Sequence, residues 1–212
     1  MSSELKFLND IARPWDELNN LLIQRYAFQP DLSSITLLVT SLSNAIKHQV
    51  DILAIEQNKS TKKLQKQINQ ESQDARIISD VSDAAKHVQL HDSNRQNNIY
   101  VAAMFEVNSE DCFRFLRNTA FIEHKTLGEY DFMQTSLNAI NYWIKKRNLN
   151  ITWSSKVLEA NNDYFPTAFL IFESKYCLNM TSMRLKLFKR DSNNSLQPFD
   201  HKEVHLEILS NN

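Results

Sequence analysis

The stretch HDSNRQNNIYVAAMFEV, residues 91–107, decides the fold, because the apolar period changes within it. Before His91, apolar residues recur at steps of three and four. After it, Ile99, Val101, Ala103, Phe105 and Val107 alternate with their neighbours, the spacing of a half-buried strand. Helices therefore precede strands, with a seam near residues 91–97. The order predicts an α+β fold: N-terminal antiparallel helices, then a mainly antiparallel β-sheet with one packed helix.

Working back from that stretch, Ser60 caps the longest expected helix. Leu64, Ile68, Ala75, Ile78, Val81, Ala85 and Val88 follow at close to 3.5-residue spacing, interrupted at Glu71. Glu56 to Lys59 make a turn. Asp31 caps a second helix, with Ile35, Leu38, Leu42, Ile46, Val50 and Leu53 as its stripe. Pro14 opens a first helix, whose stripe is Trp15, Leu18, Leu22 and Tyr26. Residues 1–96 thus read as a region of three helices. The stripes within 31–90 form a candidate seam for a protein partner or a second copy of the chain.

Working forward, Asn108 to Asp111 make a turn into a strand-like segment over 112–125. Gly128 precedes a helix near 129–147 with the stripe Tyr130, Met133, Leu137, Ile140 and Ile144. It ends in Lys145-Lys146-Arg147, where cations complement the helix dipole. Strands are expected near 150–159, 167–177, 183–190 and 203–209. Residues 97–212 then form an antiparallel sheet domain.

Composition excludes more than it identifies. Gly128 is the single glycine of 212 residues. A phosphate-cradling P-loop, a dinucleotide fingerprint and a nucleophile elbow each need several, so none can be present. Residues 1–96 carry 11 basic and 12 acidic side chains, and residues 97–212 carry 13 of each. Without a basic excess, net charge gives no indication of nucleic-acid binding. Apolar runs such as Ala168 to Phe172 are too short to span a bilayer, and no signal-peptide pattern opens the sequence. A cytoplasmic protein that does not engage membrane is expected, with Cys112 and Cys177 as buried thiols.

Three constellations could carry chemistry. Asp83, His87 and His91 are spaced i, i+4, i+8, a helical spacing at which imidazoles and a carboxylate can hold a divalent transition metal. No other cofactor is expected. The pairs Lys47-His48 and Lys86-His87 read as solvent-facing dipeptides, and Asp80 beside Asp83 as a chance pairing on a polar helix. On the expected strand over 183–190, Arg184, Lys186 and Arg190 share a face with Phe188, and Arg114 could join them across the sheet. Cations interleaved with aromatics are how sheets bind RNA.

The third constellation runs from Arg117-Asn118 to His124, and it resembles the short RNase motif of HEPN-domain proteins. That resemblance implies metal-independent RNA cleavage, with His124 handling protons at the ribose 2′-hydroxyl and Arg117 stabilising phosphoryl charge. The family's motif is helical. Here Phe113, Phe115 and Phe121 alternate as on a strand, where positions seven apart point to opposite faces.

The expected function is that of a non-enzymatic interaction or accessory subunit of an intracellular complex. A small nuclease or hydrolase, using Arg117 and His124 or a metal, is the alternative, and nucleic-acid binding through the sheet is a third.

Overall fold

The computed structural model describes residues 2–24, 32–86, 90–166, 170–172, 184–199 and 208–210. Tyr26, Asp31, His87, Val88, Cys177 and most of the expected strands over 167–177 and 203–209 lie outside the described residues.

The first helical run is α1 (Ser3–Phe7), a π-helical turn (Leu8–Ala12) and α2 (Arg13–Leu22). Pro14 does not open this run but sits inside it. A proline within a helix lacks one N–H and crowds the carbonyl four residues back. The wider turn just before it, closed by the Arg13 N–H on the Leu8 carbonyl, gives that ring room. Then come α3 (Leu32–Lys47), α4 (Gln49–Glu56), α5 (Thr61–Glu71) and α6 (Gln73–Lys86).

The long helix expected from Ser60 is thus two helices. Ser72 takes extended dihedrals, φ −141° and ψ 109°, and its Oγ accepts the Ala75 N–H at 3.1 Å. A serine that can cap the next turn competes with helix continuation.

Most of these stripes face inward, with Val39 buried in place of the half-buried Leu38 and with Ala85 exposed. Ile35, Val39, Leu42, Ile46 and Leu64 are buried, and Ile68 and Ile78 are only 1% and 0% exposed. The chain's own atoms cover them. Helix α6 packs against α5 and along α7 (Phe132–Lys146), which starts where the Asp131 carboxylate accepts the Gln134 N–H at 3.1 Å. Trp15 donates its indole N–H to Ser136 Oγ at 2.9 Å and meets Trp153 edge-on at 5.8 Å.

Residues 150–159, expected as a strand, form none. Asp16 on α2 takes the Trp153 indole N–H and the Ser155 hydroxyl, and Asn19 donates to the Lys156 carbonyl. A helix side chain thus gives the Lys156 carbonyl the hydrogen bond that a neighbouring strand would have given.

The strands are β1 (Asn97–Val107), β2 (Phe113–His124), β3 (Gly128–Asp131), β4 (Leu170–Phe172), β5 (Arg184–Arg190), β6 (Leu196–Pro198) and β7 (Ile208–Ser210). Five of them form one sheet in the order β3-β2-β1-β5-β6, and β4 pairs with β7. The fold is α+β, but the sheet is mixed rather than mainly antiparallel. Strand β5 lies parallel to β1, with Ala102 opposite Arg184 and Glu106 opposite Phe188, and β4 is parallel to β7. Strands β2–β3 and β5–β6 pair antiparallel. Parallel neighbours need a long crossover, and the chain between Asp131 and Arg184, which includes α7, is long enough to provide one.

Every residue from Tyr100 to Val107 and from Phe115 to Ile122 is buried. Both faces of these strands are therefore covered, where the alternation had suggested one.

The chain divides into two compact units. Met1–Asn19, Ser33–Ile99 and Ala120–Val157 make the helical one, and Asn20–Leu32, Tyr100–Thr119 and Leu158–Asn212 the strand-rich one. Among the described residues, no helix is long and apolar enough to cross a membrane.

Candidate functional site

Helix α6 is buried on most of its circumference, so Ser79, Asp80 and Ser82 are enclosed along with Ile77, Ile78 and Val81. A carboxylate taken out of water needs charged or hydrogen-bonding partners. Asp80, 0% exposed, has two close ones. Arg95 donates to its Oδ1 at 2.6 Å, and His124 Nε2 lies 3.3 Å from its Oδ2. Arg76, one turn earlier on α6, stands off at 3.9 Å.

The tautomer of His124 follows from its surroundings. The backbone N–H groups of Thr126 and Leu127 donate to Nδ1 at 3.3 Å each, so Nδ1 accepts and the ring proton sits on Nε2, toward Asp80. Both nitrogens are thereby engaged.

Arg95 ends a short 3₁₀ turn (Ser93–Arg95) that Asp92 caps by accepting the Asn94 N–H at 3.0 Å. The same guanidinium reaches Asp83 Oδ2 at 2.5 Å, and Lys47, at the end of α3, pairs with the other oxygen of Asp83. Burial pushes the Asp83 carboxyl up. The hydrogen bonds from Lys47 and Arg95 outweigh it and hold the group below its ordinary value. Burial acts on Arg95 in the opposite sense, and the Asp80 carboxylate overcomes it and raises the guanidinium.

Lys47, Arg76, Asp83 and Arg95 also line a cleft of about 750 Å³ within the helical unit. Helix α4 adds Val50 and Asp51, and Asp92 lies at the 3₁₀ turn. Helix α5 adds Lys62, Gln65, Lys66, Asn69 and Gln70. Lys62 and Lys66 are one helical turn apart, about 6 Å between β-carbons. Both are exposed, and neither forms an ion pair among the described residues, although Asp51, Asp83 and Asp92 share the cleft's lining. Helix α5 carries no acid in its first turn, so Lys62 and Lys63 stand at the positive end of its dipole, where cations are unfavourable.

The expected site residues fall in separate places. His87 lies outside the described residues, His91 is exposed in a bend, and Asp83 is engaged by Lys47 and Arg95. Among the described residues, no three His, Cys, Asp or Glu side chains are grouped to hold a metal ion. Arg117 and His124 are both buried in β2. Seven positions apart on a strand, they have opposite parity and are separated by about 23 Å along it.

On β5, Arg184 and Lys186 lie over the Tyr100 ring, at 3.8 and 5.8 Å from its centroid. Arg190 bonds Glu106 at 3.1 Å and Glu159 at 2.7 Å, while Arg114 bonds Glu106 at 2.6 Å. Phe188 is buried. Burial raises the Glu106 carboxyl, but Arg114 and Tyr164 more than offset that and hold it low.

Lys47, Arg76, Arg95 and the lysines of α5 are what sequence reasoning missed. Lys47 turns to Asp83 rather than to solvent, although its neighbour His48 is exposed and pairs with Asp51 at 3.0 Å. Two signals were present: an acid at 80 among Ile77, Ile78 and Val81, and lysines in the first turn of a helix. Comparison with known proteins finds no matching family model, no similar curated protein and no similar solved structure.

Proposed function

We propose that the protein is a non-enzymatic accessory subunit that works by binding an anionic ligand or partner in the cleft beside α5. The observation that carries this reading is the pairing of the cleft's cations. Lys47 and Arg95 are neutralised by Asp83 and Asp80, whereas Lys62 and Lys66 form no ion pair among the described residues and Arg76 stands 3.9 Å from a carboxylate that other partners already hold. Like charges one turn apart on a helix repel, and an anion between them removes the repulsion.

Two further points favour binding over chemistry. His124 is held at both ring nitrogens, which suits a structural role. A nuclease using Arg117 and His124 would need both at one phosphate, and a continuous strand separates them. The apolar seam is a poor docking surface because Ile35, Leu42, Ile46, Leu64, Ile68, Ile78 and Val81 are already in the core. An accessory role therefore rests better on the polar cleft.

Thermal unfolding of the full chain with inorganic pyrophosphate tests the reading. A rise in melting temperature is expected, because a ligand that binds only the folded state stabilises it by mass action. The Lys62→Gln/Lys66→Gln variant should keep its circular dichroism spectrum and lose the rise. An equal response in wild type and variant, or none in either, would overturn the proposal.

A further inference from the structure

Resting on the anion-binding reading above, we infer that the cleft takes a small sugar phosphate, with its phosphate on Lys62, Lys66 and Arg76 and its hydroxyls on the amides and carboxylates beside them.

Size comes first. A cleft of about 750 Å³ lies in the range of small-molecule sites rather than of a polymer-binding groove. Among the described residues, its lining contains no aromatic side chain, and Val50 is its one aliphatic residue. A nucleotide base would find no aromatic ring to stack on, and an acyl chain would find a single aliphatic side chain to bury against.

Charge narrows the class further. Asp51, Asp83 and Asp92 share the lining with the cations. A long, uniformly anionic chain such as a nucleic acid would be repelled by those carboxylates along part of its length. A molecule with one anionic end and a body of hydroxyls would not. Carboxylates and amide oxygens accept from hydroxyls, and amide N–H groups donate to them.

The amides are placed for this role. Gln65, Asn69 and Gln70 lie within one turn of Lys66 on α5. Gln65 Nε2 donates to Asn69 Oδ1 at 2.7 Å, which fixes two of them before any ligand arrives. The Gln70 side chain has no hydrogen-bond partner among the described residues. Preorganised hydrogen-bonding groups reduce the ordering cost of binding.

Isothermal titration of the full chain with ribose 5-phosphate, glucose 6-phosphate, the two free sugars, inorganic phosphate, ADP and a single-stranded oligonucleotide is the test. At least one sugar phosphate should bind about tenfold or more tightly than inorganic phosphate, while the free sugars show no heat. Asn69→Ala/Gln70→Ala should weaken the sugar phosphate but not inorganic phosphate. Lys62→Gln/Lys66→Gln should weaken both while the circular dichroism spectrum is kept. If inorganic phosphate binds as tightly as the sugar phosphates, or ADP or the oligonucleotide binds best, the sugar-phosphate assignment falls and the anion-binding reading stands. If no anion binds, both fall.

Discussion

His124 Nε2 and Asp80 Oδ2 lie 3.3 Å apart, and neither side chain touches water. The pair joins the end of β2 to the middle of α6, and Arg95 holds the other oxygen of the same carboxylate. Asp80→Ala leaves a buried imidazole N–H without its acceptor and takes from Arg95 one of its two carboxylates, Asp83 remaining. It should destabilise the fold by about 1–3 kcal/mol in urea titration. Because the residues share one network, the Asp80→Ala/His124→Ala double variant should lose less than the sum of the singles. Strict additivity would show that they do not act together.

Glu71 gives a pH dependence with a defined sign. Its carboxylate accepts from Lys146 at 2.7 Å and from Tyr142 at 2.6 Å. Those bonds, that from Lys146 first, lower it from an ordinary 4.5 to about 2. A depressed folded-state value means that its contribution is full above the unfolded value and is lost as pH falls from there through the folded one. The group is partly exposed, so the effect is of the order of 0.2–1 kcal/mol. The stability gap between wild type and Glu71→Gln should close between about pH 5 and pH 2. A constant gap over that range would mean the carboxylate is no better stabilised in the fold than in the unfolded chain.

Ser72 separates two helices by holding the Ala75 N–H. Replacing it with alanine should cost about 1 kcal/mol, as for other serine caps. Denaturant midpoints will report this. An unchanged or higher midpoint would mean that the cap gives way without penalty to a continuous helix.

Ser136 is the acceptor for the indole N–H of Trp15, and both side chains are buried. Ser136→Ala keeps the packing almost intact and strands that donor, at a cost of about 1–3 kcal/mol. Near-ultraviolet circular dichroism should stay native below the transition, so that the loss is read as stability rather than as rearrangement.

What the sequence revealed follows from the range of the interactions involved. Periodicity is local, so the helical first part, the strands on either side of Asn108 to Asp111 and the helix after Gly128 were all legible. Two local signals were misweighted: Ser72, which splits an apparent long helix, and Pro14, which a π turn accommodates. Strand direction is not local. Nothing in residues 183–190 shows that they will lie parallel to β1, since the crossover that decides it runs through α7.

The site was hardest, because its parts are far apart in sequence. Asp80 finds Arg95 and His124, and Asp83 finds Lys47. A single sequence holds no signal for such pairings. The half-buried alternation of β1 failed for the same reason, since covering elements are contributed from elsewhere in the chain.

The break at Ser72 also bears on local stability. Helix α5 buries only Leu64 and Ile68, whereas α6 buries seven of its residues. Once separated from α6 at Ser72, α5 has little of its own to hold it, and segments with few buried apolar residues open at free energies well below that of global unfolding. Its amides should therefore exchange with deuterium sooner than those of α6. The cleft wall that carries Lys62 and Lys66 would then open and reclose while the rest of the helical unit stays folded, and an anion bridging Lys62, Lys66 and Arg76 would slow that exchange without contacting a single backbone amide.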